Sequence, residues 1–209
     1  MKSALIALVA IFLCTSMFGQ KKDEINYSDP FQIDSSEIFL IPRLIDNENQ
    51  AAYGKGKGYL PWGNYHDIYF YNTNTNTTRK LFDTTLAIIH TFTERNYYNK
   101  PVNEYPLNIL PKHIVYLVRT DNFNNDNGLD SDDPVYLYIS ARNGENLRVI
   151  TPKGVHILSW TASKDRKILM VKAMKDSNGN KKFGVGDDEI YYRIDLDENI
   201  SNIKCYPVL

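Results

Sequence analysis

From residue 37 onward the chain alternates short apolar runs with polar connections. Ile38-Phe39-Leu40-Ile41, Ile68-Tyr69-Phe70-Tyr71, Ile114-Val115-Tyr116-Leu117-Val118, Val135-Tyr136-Leu137-Tyr138-Ile139, Ile168-Leu169-Met170-Val171 and Ile190-Tyr191-Tyr192 are the clearest runs. They are rich in β-branched and aromatic residues and are bounded by Asn, Asp, Gly and Pro. Apolar runs this short, between turn-forming residues, predict buried strands; a helix would need a longer stretch with a 3.6-residue period, which no segment sustains. The expected fold is all-β and antiparallel.

The runs recur. At an offset of 54 residues Ile114 matches Ile168, Val115 matches Leu169 and Leu117 matches Val171. Farther along, Asn124 matches Asn178, Leu129 matches Phe183, Asp133 matches Asp187 and Tyr138 matches Tyr192. The common unit is strand, acidic loop, strand, turn, strand. A degenerate earlier copy uses Ile38–Ile41, Ile68–Tyr71 and Arg79-Lys80-Leu81-Phe82, with a long Gly- and Lys-rich connection in place of the acidic loop. The units span about 37–83, 113–151 and 167–207 within one domain, 37–209. Multi-strand repeats of this length are a mark of propeller blades.

Trp160-Thr161-Ala162-Ser163-Lys164-Asp165-Arg166-Lys167-Ile168-Leu169 resembles the strand-turn signature of TolB-type (WD40-like) β-propeller repeats. Tyr136–Ser140 followed by Asn143-Gly144, Asn146-Leu147 and Thr151-Pro152 resembles the hairpin that follows in such a blade. The resemblance covers about 113–200 well and about 37–83 loosely. It implies β-meander repeats arranged like propeller blades. Closed propellers use about four blades or more, so the expectation is an incomplete, propeller-like array of about three units, with a β-sandwich as the alternative.

Two of the connections carry candidate chemistry. Calcium takes six to eight oxygen ligands, and an EF-type loop presents them from positions 1, 3, 5, 7, 9 and 12. In 176–187, Asp176, Asn178 and Asn180 fill positions 1, 3 and 5, the Lys182 carbonyl serves position 7, and Asp187 stands at position 12. In 122–133, Asn122, Asn124 and Asp126 fill 1, 3 and 5, the Gly128 carbonyl serves 7, Asp130 stands at 9 and Asp133 at 12. Leu129 and Phe183 take the apolar position 8 that anchors such a loop. Both loops resemble EF-hand-like calcium loops that lack flanking helices. They depart from that pattern at position 12, where Asp replaces the longer bidentate Glu, and at position 6, where Asn127 and Lys181 replace Gly. Few carboxylates imply weak binding, with Kd on the order of 10⁻⁴–10⁻³ M. The expected cofactor is a structural Ca²⁺. An ordinary turn uses the same residue types, so the twelve-residue register in both loops is what singles these out.

Composition narrows the setting. Lys2, the apolar run Ala4–Leu13 and the short tail to Gly19 have the form of a signal peptide, with 1–19 removed and 20–36 a polar, flexible lead-in. The apolar run is too short to span a bilayer. Cys14 follows Leu13 where a lipoprotein signal wants a small residue. The mature chain keeps one cysteine, Cys205, so no internal disulfide can form, and a divalent ion is a natural substitute. Removing Lys2 leaves 23 basic against 25 acidic residues. No basic patch or second long apolar stretch stands out, which argues against nucleic acid and against a membrane span in the mature chain.

No catalytic constellation is apparent. His66, His90, His113 and His156 are scattered, without zinc-ligand spacing. Gly54-Lys55-Gly56-Lys57-Gly58 lacks the spacing of a phosphate-binding loop, and Tyr59, Trp62, Tyr65 and Tyr69 after it suit either a core or a binding surface. The leading expectation is an exported module (periplasmic, cell-surface or secreted) that binds a protein or glycan without catalysis. A glycan or peptide hydrolase using loop carboxylates and a structural envelope protein are the alternatives.

Overall fold

The computed structural model describes residues 25–34, 36–44, 65–83, 88–90, 109–126 and 128–209. Its strands are β1 (Phe31–Gln32), β2 (Ile38–Leu44), β3 (Tyr65–Asn72), β4 (Thr77–Lys80), β5 (Ile88–His90), β6 (His113–Arg119), β7 (Tyr136–Ala141), β8 (Arg148–Val149), β9 (Val155–Ala162), β10 (Ile168–Lys175), β11 (Asp188–Asp195) and β12 (Lys204–Pro207). The described helical structure is a single 3-10 turn, Ile200–Asn202. Neighbouring strands pair antiparallel throughout. They form three consecutive four-stranded meanders: β1–β4, β5–β8 and β9–β12. A single Tyr65↔Ile89 pairing joins the first two into an eight-stranded sheet, and the third is a separate sheet of order β12-β11-β10-β9. The all-β, antiparallel expectation holds.

The middle meander explains how the others are held. All seven residues of β6, His113 to Arg119, are buried. In a strand successive side chains point to opposite faces, and β6 feeds two cores by that alternation. Val115 and Leu117 join Leu137, Ile139, Val155, Ile157, Leu169, Val171 and Ile194 in one cluster, between the second and third meanders. Ile114, Tyr116 and Val118 join Leu40, Tyr65, Ile68, Phe70, Leu81 and Phe82 in the other, against the first meander. Each fully buried Leu or Ile contributes roughly 2–3 kcal/mol, so a continuous apolar run is what a strand covered on both faces requires. Two buried tyrosines of this layer find partners: the Tyr116 hydroxyl lies 2.8 Å from Ser140 Oγ, and the Tyr136 hydroxyl accepts the Gly154 N–H at 3.3 Å.

At Gly144 the β7–β8 turn adopts φ +80, and an added Cβ would meet the Phe70 ring at 2.6 Å. The Asn143-Gly144 turn thus lets the first meander close on the second. Arg142 with Asp34, and Phe82 edge-on to Tyr138 with centroids 5.5 Å apart, tie the same two units.

Two boundaries differ from expectation. Val155–Ala162 pairs with β10 and so belongs to the third meander, which begins before residue 167; the alternating burial of Val155, His156 and Ile157 is the strand pattern that marks it. The described part of the expected lead-in is also integrated. Tyr27 bridges to Arg43, Phe31 and Gln32 pair with Leu40 and Phe39, and Ile33 is fully buried. A buried isoleucine and backbone bonds to β2 hold that segment against the sheet. Among the aromatics singled out near residue 60, Tyr65 is core and Tyr69 packs edge-on to Tyr27. Gly54–Gly58, Tyr59 and Trp62 lie outside the described residues.

Candidate metal centre

Each acidic loop joins the second and third strands of its meander: 122–133 links β6 to β7, and 176–187 links β10 to β11. Their sequences share little beyond Asn, Asp and register, yet a common set of backbone-to-side-chain bonds recurs at matching positions. The position-5 amide donates to position 1: Asp126 N to Asn122 Oδ1, 3.1 Å, and Asn180 N to Asp176 Oδ1, 3.1 Å. It donates also to position 3: Asp126 N to Asn124 Oδ1 and Asn180 N to Asn178 Oδ1, both 2.9 Å. The position-7 amide donates to position 5: Gly128 N to Asp126 Oδ1, 3.0 Å, and Lys182 N to Asn180 Oδ1, 2.8 Å.

The position-12 carboxylate closes each loop. Asp133 Oδ1 accepts the Phe123 N–H at 2.7 Å and Oδ2 accepts the Asp130 N–H at 3.0 Å. Asp187 does the same with Ser177 at 3.1 Å and Gly184 at 2.9 Å. The side chains at positions 1 and 3 thus share the position-5 amide, that at position 5 takes the position-7 amide, and position 12 reaches back across the loop to positions 2 and 9; among the described residues no three His, Cys, Asp or Glu side chains gather closely enough to hold a metal ion. Asx side chains that capture a following backbone N–H account for this local path. The side-chain carbonyl of an Asn and each carboxylate oxygen have more than one acceptor site. These bonds therefore leave oxygen lone pairs for an added cation.

Backbone conformation repeats as well. Position 4 is left-handed in both loops, at Asn125 (φ 59) and Gly179 (φ 71). In the second loop position 6 is also left-handed, at Lys181 (φ 61). That is the sharp turn for which an EF-type loop uses glycine, made here by a residue that tolerates it poorly. Asn127, at the same position of the first loop, lies outside the described residues.

The two loops touch, which register alone did not foretell. Phe183 enters neither core cluster. Its ring packs on Phe123 of the first loop, centroids 5.4 Å apart, and on His156 of β9 at 5.4 Å with the planes nearly parallel. Lys182 Nζ lies 3.0 Å from Asp132 Oδ2. His156 Nδ1 accepts the Val135 N–H at 3.3 Å, which places its own proton on Nε2. Burial, with Arg119 nearby, pulls the His156 pKa down to about 4. Beneath the first loop the buried Arg119 donates from Nε to the Asp133 carbonyl at 3.0 Å. Burial lowers the Arg119 pKa, and the charges of Asp133, Asp130 and Asp132 oppose that shift. Phe123 and Phe183 were legible as apolar residues inside polar loops, a pattern that demands a partner. Arg119, a charged residue closing the apolar run Ile114–Val118, was a signal of the same kind.

No family model, curated protein or solved structure matches the chain.

Proposed function

We propose that the protein is an exported, propeller-like β-repeat module, stabilised by calcium in two adjacent hairpin loops, that binds a protein or glycan partner. The observation that carries the calcium reading is the set of bonds that positions 1, 3, 5, 7, 9 and 12 share in two loops of different sequence. Asn122, Asn124, Asp126, Asp130 and Asp133, with the Gly128 carbonyl, would supply oxygens to one ion. Asp176, Asn178, Asn180 and Asp187, with the Lys182 carbonyl, would supply them to the other. Oxygen-only donor sets of this kind suit a hard cation, and the flexible geometry and mixed charge favour calcium over the smaller, strictly octahedral magnesium.

The role is structural. Strands, not helices, flank both loops, so ion binding has no helix pair to open. It would instead clamp β6 to β7 and β10 to β11, where a secreted domain commonly uses a disulfide. Cys205 has no cysteine partner among the described residues, and burial pushes its thiol up to about 11. The propeller-like reading is supported by three consecutive four-stranded meanders with apolar clusters between them. The binding role is supported by the outer face of the third meander, where Met170 and Tyr206 flank Arg193 and remain exposed.

Thermal or urea unfolding in calcium against chelator tests the calcium reading. A ligand that binds only the folded state at about a hundredfold above its Kd adds about 2.7 kcal/mol per site. The expected result is a rise in melting temperature that grows with calcium into the millimolar range, with a much smaller response to magnesium. Superimposable melts in calcium and chelator would remove calcium from the account.

A further inference from the structure

The dipeptide Asn-Gly stands in two described hairpin connections, and its settings there differ (Asn127-Gly128 lies partly outside the described residues). Asn143-Gly144 forms the β7–β8 turn. The Gly144 N–H donates to the Ala141 carbonyl at 2.9 Å, and the buried glycine lies against the Phe70 ring. Asn178-Gly179 lies in the connection between β10 and β11, where both residues are exposed. An added Cβ on Gly179 would meet nothing within 4 Å. The Gly179 N–H has no hydrogen-bond partner among the described residues. Asn178 Oδ1 accepts the Asn180 N–H at 2.9 Å, a bond that draws electron density away from Cγ.

An asparagine followed by glycine carries its own reaction. The glycine nitrogen, deprotonated by a solvent base, bonds to the asparagine Cγ, since no Cβ on the glycine obstructs the approach. The Cγ–Nδ2 bond breaks, ammonia leaves, and a five-membered succinimide closes. Water then adds to either ring carbonyl and opens the ring to aspartate or to isoaspartate. The sum is hydrolysis of an amide, with no change of oxidation state. An N–H held inside a turn is withheld from the first step; an unbonded one facing solvent is not. We propose that Asn178 is a self-modifying site of the folded protein, converted by the Gly179 nitrogen and water to aspartate and isoaspartate, while the same dipeptide at 143–144 is protected by its turn. Either product puts a carboxylate where the loop has a neutral amide. Isoaspartate also adds a methylene to the main chain and alters the acceptor that the Asn180 amide uses. The inference rests on exposure and the unbonded Gly179 amide, and not on the calcium reading.

Incubation of the folded full-length chain with chelator in heavy-oxygen water tests this. Trypsin then releases Asn178 in peptide 176–181 and Asn143 in peptide 143–148, and fragmentation mass spectrometry places the incorporated oxygen. The same chain in urea gives the unprotected rate at each site. Reaction at Asn143 has to wait for the turn to open, and local opening of a folded protein costs free energy. Relative to its rate in urea, Asn178 is therefore expected to react about tenfold faster than Asn143, or more, in the folded chain. Equal normalised rates, a faster reaction at Asn143, or no label at Asn178 would overturn the assignment.

Discussion

The two acidic loops are built on one plan and stand on different foundations. The first rests on the core: Asp133 is 0% exposed, and the strand before the loop ends in the buried Arg119, which holds the Asp133 carbonyl. The second projects from the sheet. Asp187 is half-buried, most of its loop is exposed, and Val185 near its end is fully exposed. Its apolar residue, Phe183, packs against the other loop and His156. The same hydrogen bonds therefore have different consequences. Around the fully buried Asp133 carboxylate a lost acceptor leaves two partly buried donors beside the core. Around Asp187 water can substitute for the lost partner. Similar loop bonding does not mean equal energetic weight.

The sharpest way to break this comparison is to remove the same carboxylate from each loop. Asp133→Ala removes a fully buried carboxylate together with its bonds to the partly buried Phe123 and Asp130 amides, and disrupting a buried polar network of this kind costs about 1–3 kcal/mol. The expected loss is about 3 kcal/mol. Asp187→Ala, with its donors hydrated, is expected to cost about 1 kcal/mol. Urea denaturation of both variants in chelator measures the difference free of any metal contribution. Equal losses would show that the first loop has no special footing.

The junction between the loops gives the next largest effect, through pH. His156 has a pKa of about 4 in the folded protein, against about 6.5 for an unperturbed histidine. Between those values the unfolded chain binds a proton that the folded chain does not, so stability increases with pH across this window. The contribution is fully present above pH 6.5 and is lost as pH falls toward 4. Its size is about 3.4 kcal/mol before solvent screening, and less for a partly exposed ring. Protonation at Nδ1 removes the acceptor of the Val135 N–H and places a charge beside Arg119 and beneath Phe183. His156→Asn keeps an acceptor near the Nδ1 position without a titrating group. Its urea midpoint is expected to fall less between pH 7 and pH 4.5 than that of the unsubstituted chain; parallel pH profiles would assign the acid sensitivity elsewhere.

The sequence already carried much of this arrangement, because it lay in local pattern. β6 was visible as Ile114–Val118: a strand covered on both faces must be apolar at every position, and that run is. The loop register was visible because Asx residues at positions 1, 3 and 5 act on amides two to four residues away, a purely local relation. What stayed hidden depends on contacts distant in sequence. The Phe123–Phe183 contact spans two meanders, and periodicity within either loop is silent about it. Lys182 entered as a carbonyl donor; nothing in its neighbours indicated that its ammonium would reach Asp132. Position 8 was expected to anchor each loop in the core, and for Phe183 the anchor is the other loop. Val155–Ala162 falls between the expected units because their bounds follow the 54-residue offset, and its pairing with β10 is not part of that match.

The smallest effect sharpens the comparison within the loop backbone itself. Lys181 and Asn125 both have left-handed φ, at 61 and 59, but a side chain such as Lys loses about 1 kcal/mol there while Asn visits the region more readily. Glycine removes the strain and also loosens the unfolded chain, an opposing term of similar size. Lys181→Gly is therefore expected to stabilise by a few tenths to about 0.5 kcal/mol in chelator, because relief of a strained side chain slightly exceeds the entropy cost. Asn125→Gly relieves little and is expected to destabilise by about the same amount. Opposite shifts in urea midpoint would place the strain at position 6 of the exposed loop. Shifts of the same sign would mean that the backbone turn, and not the residue on it, sets the stability of both loops.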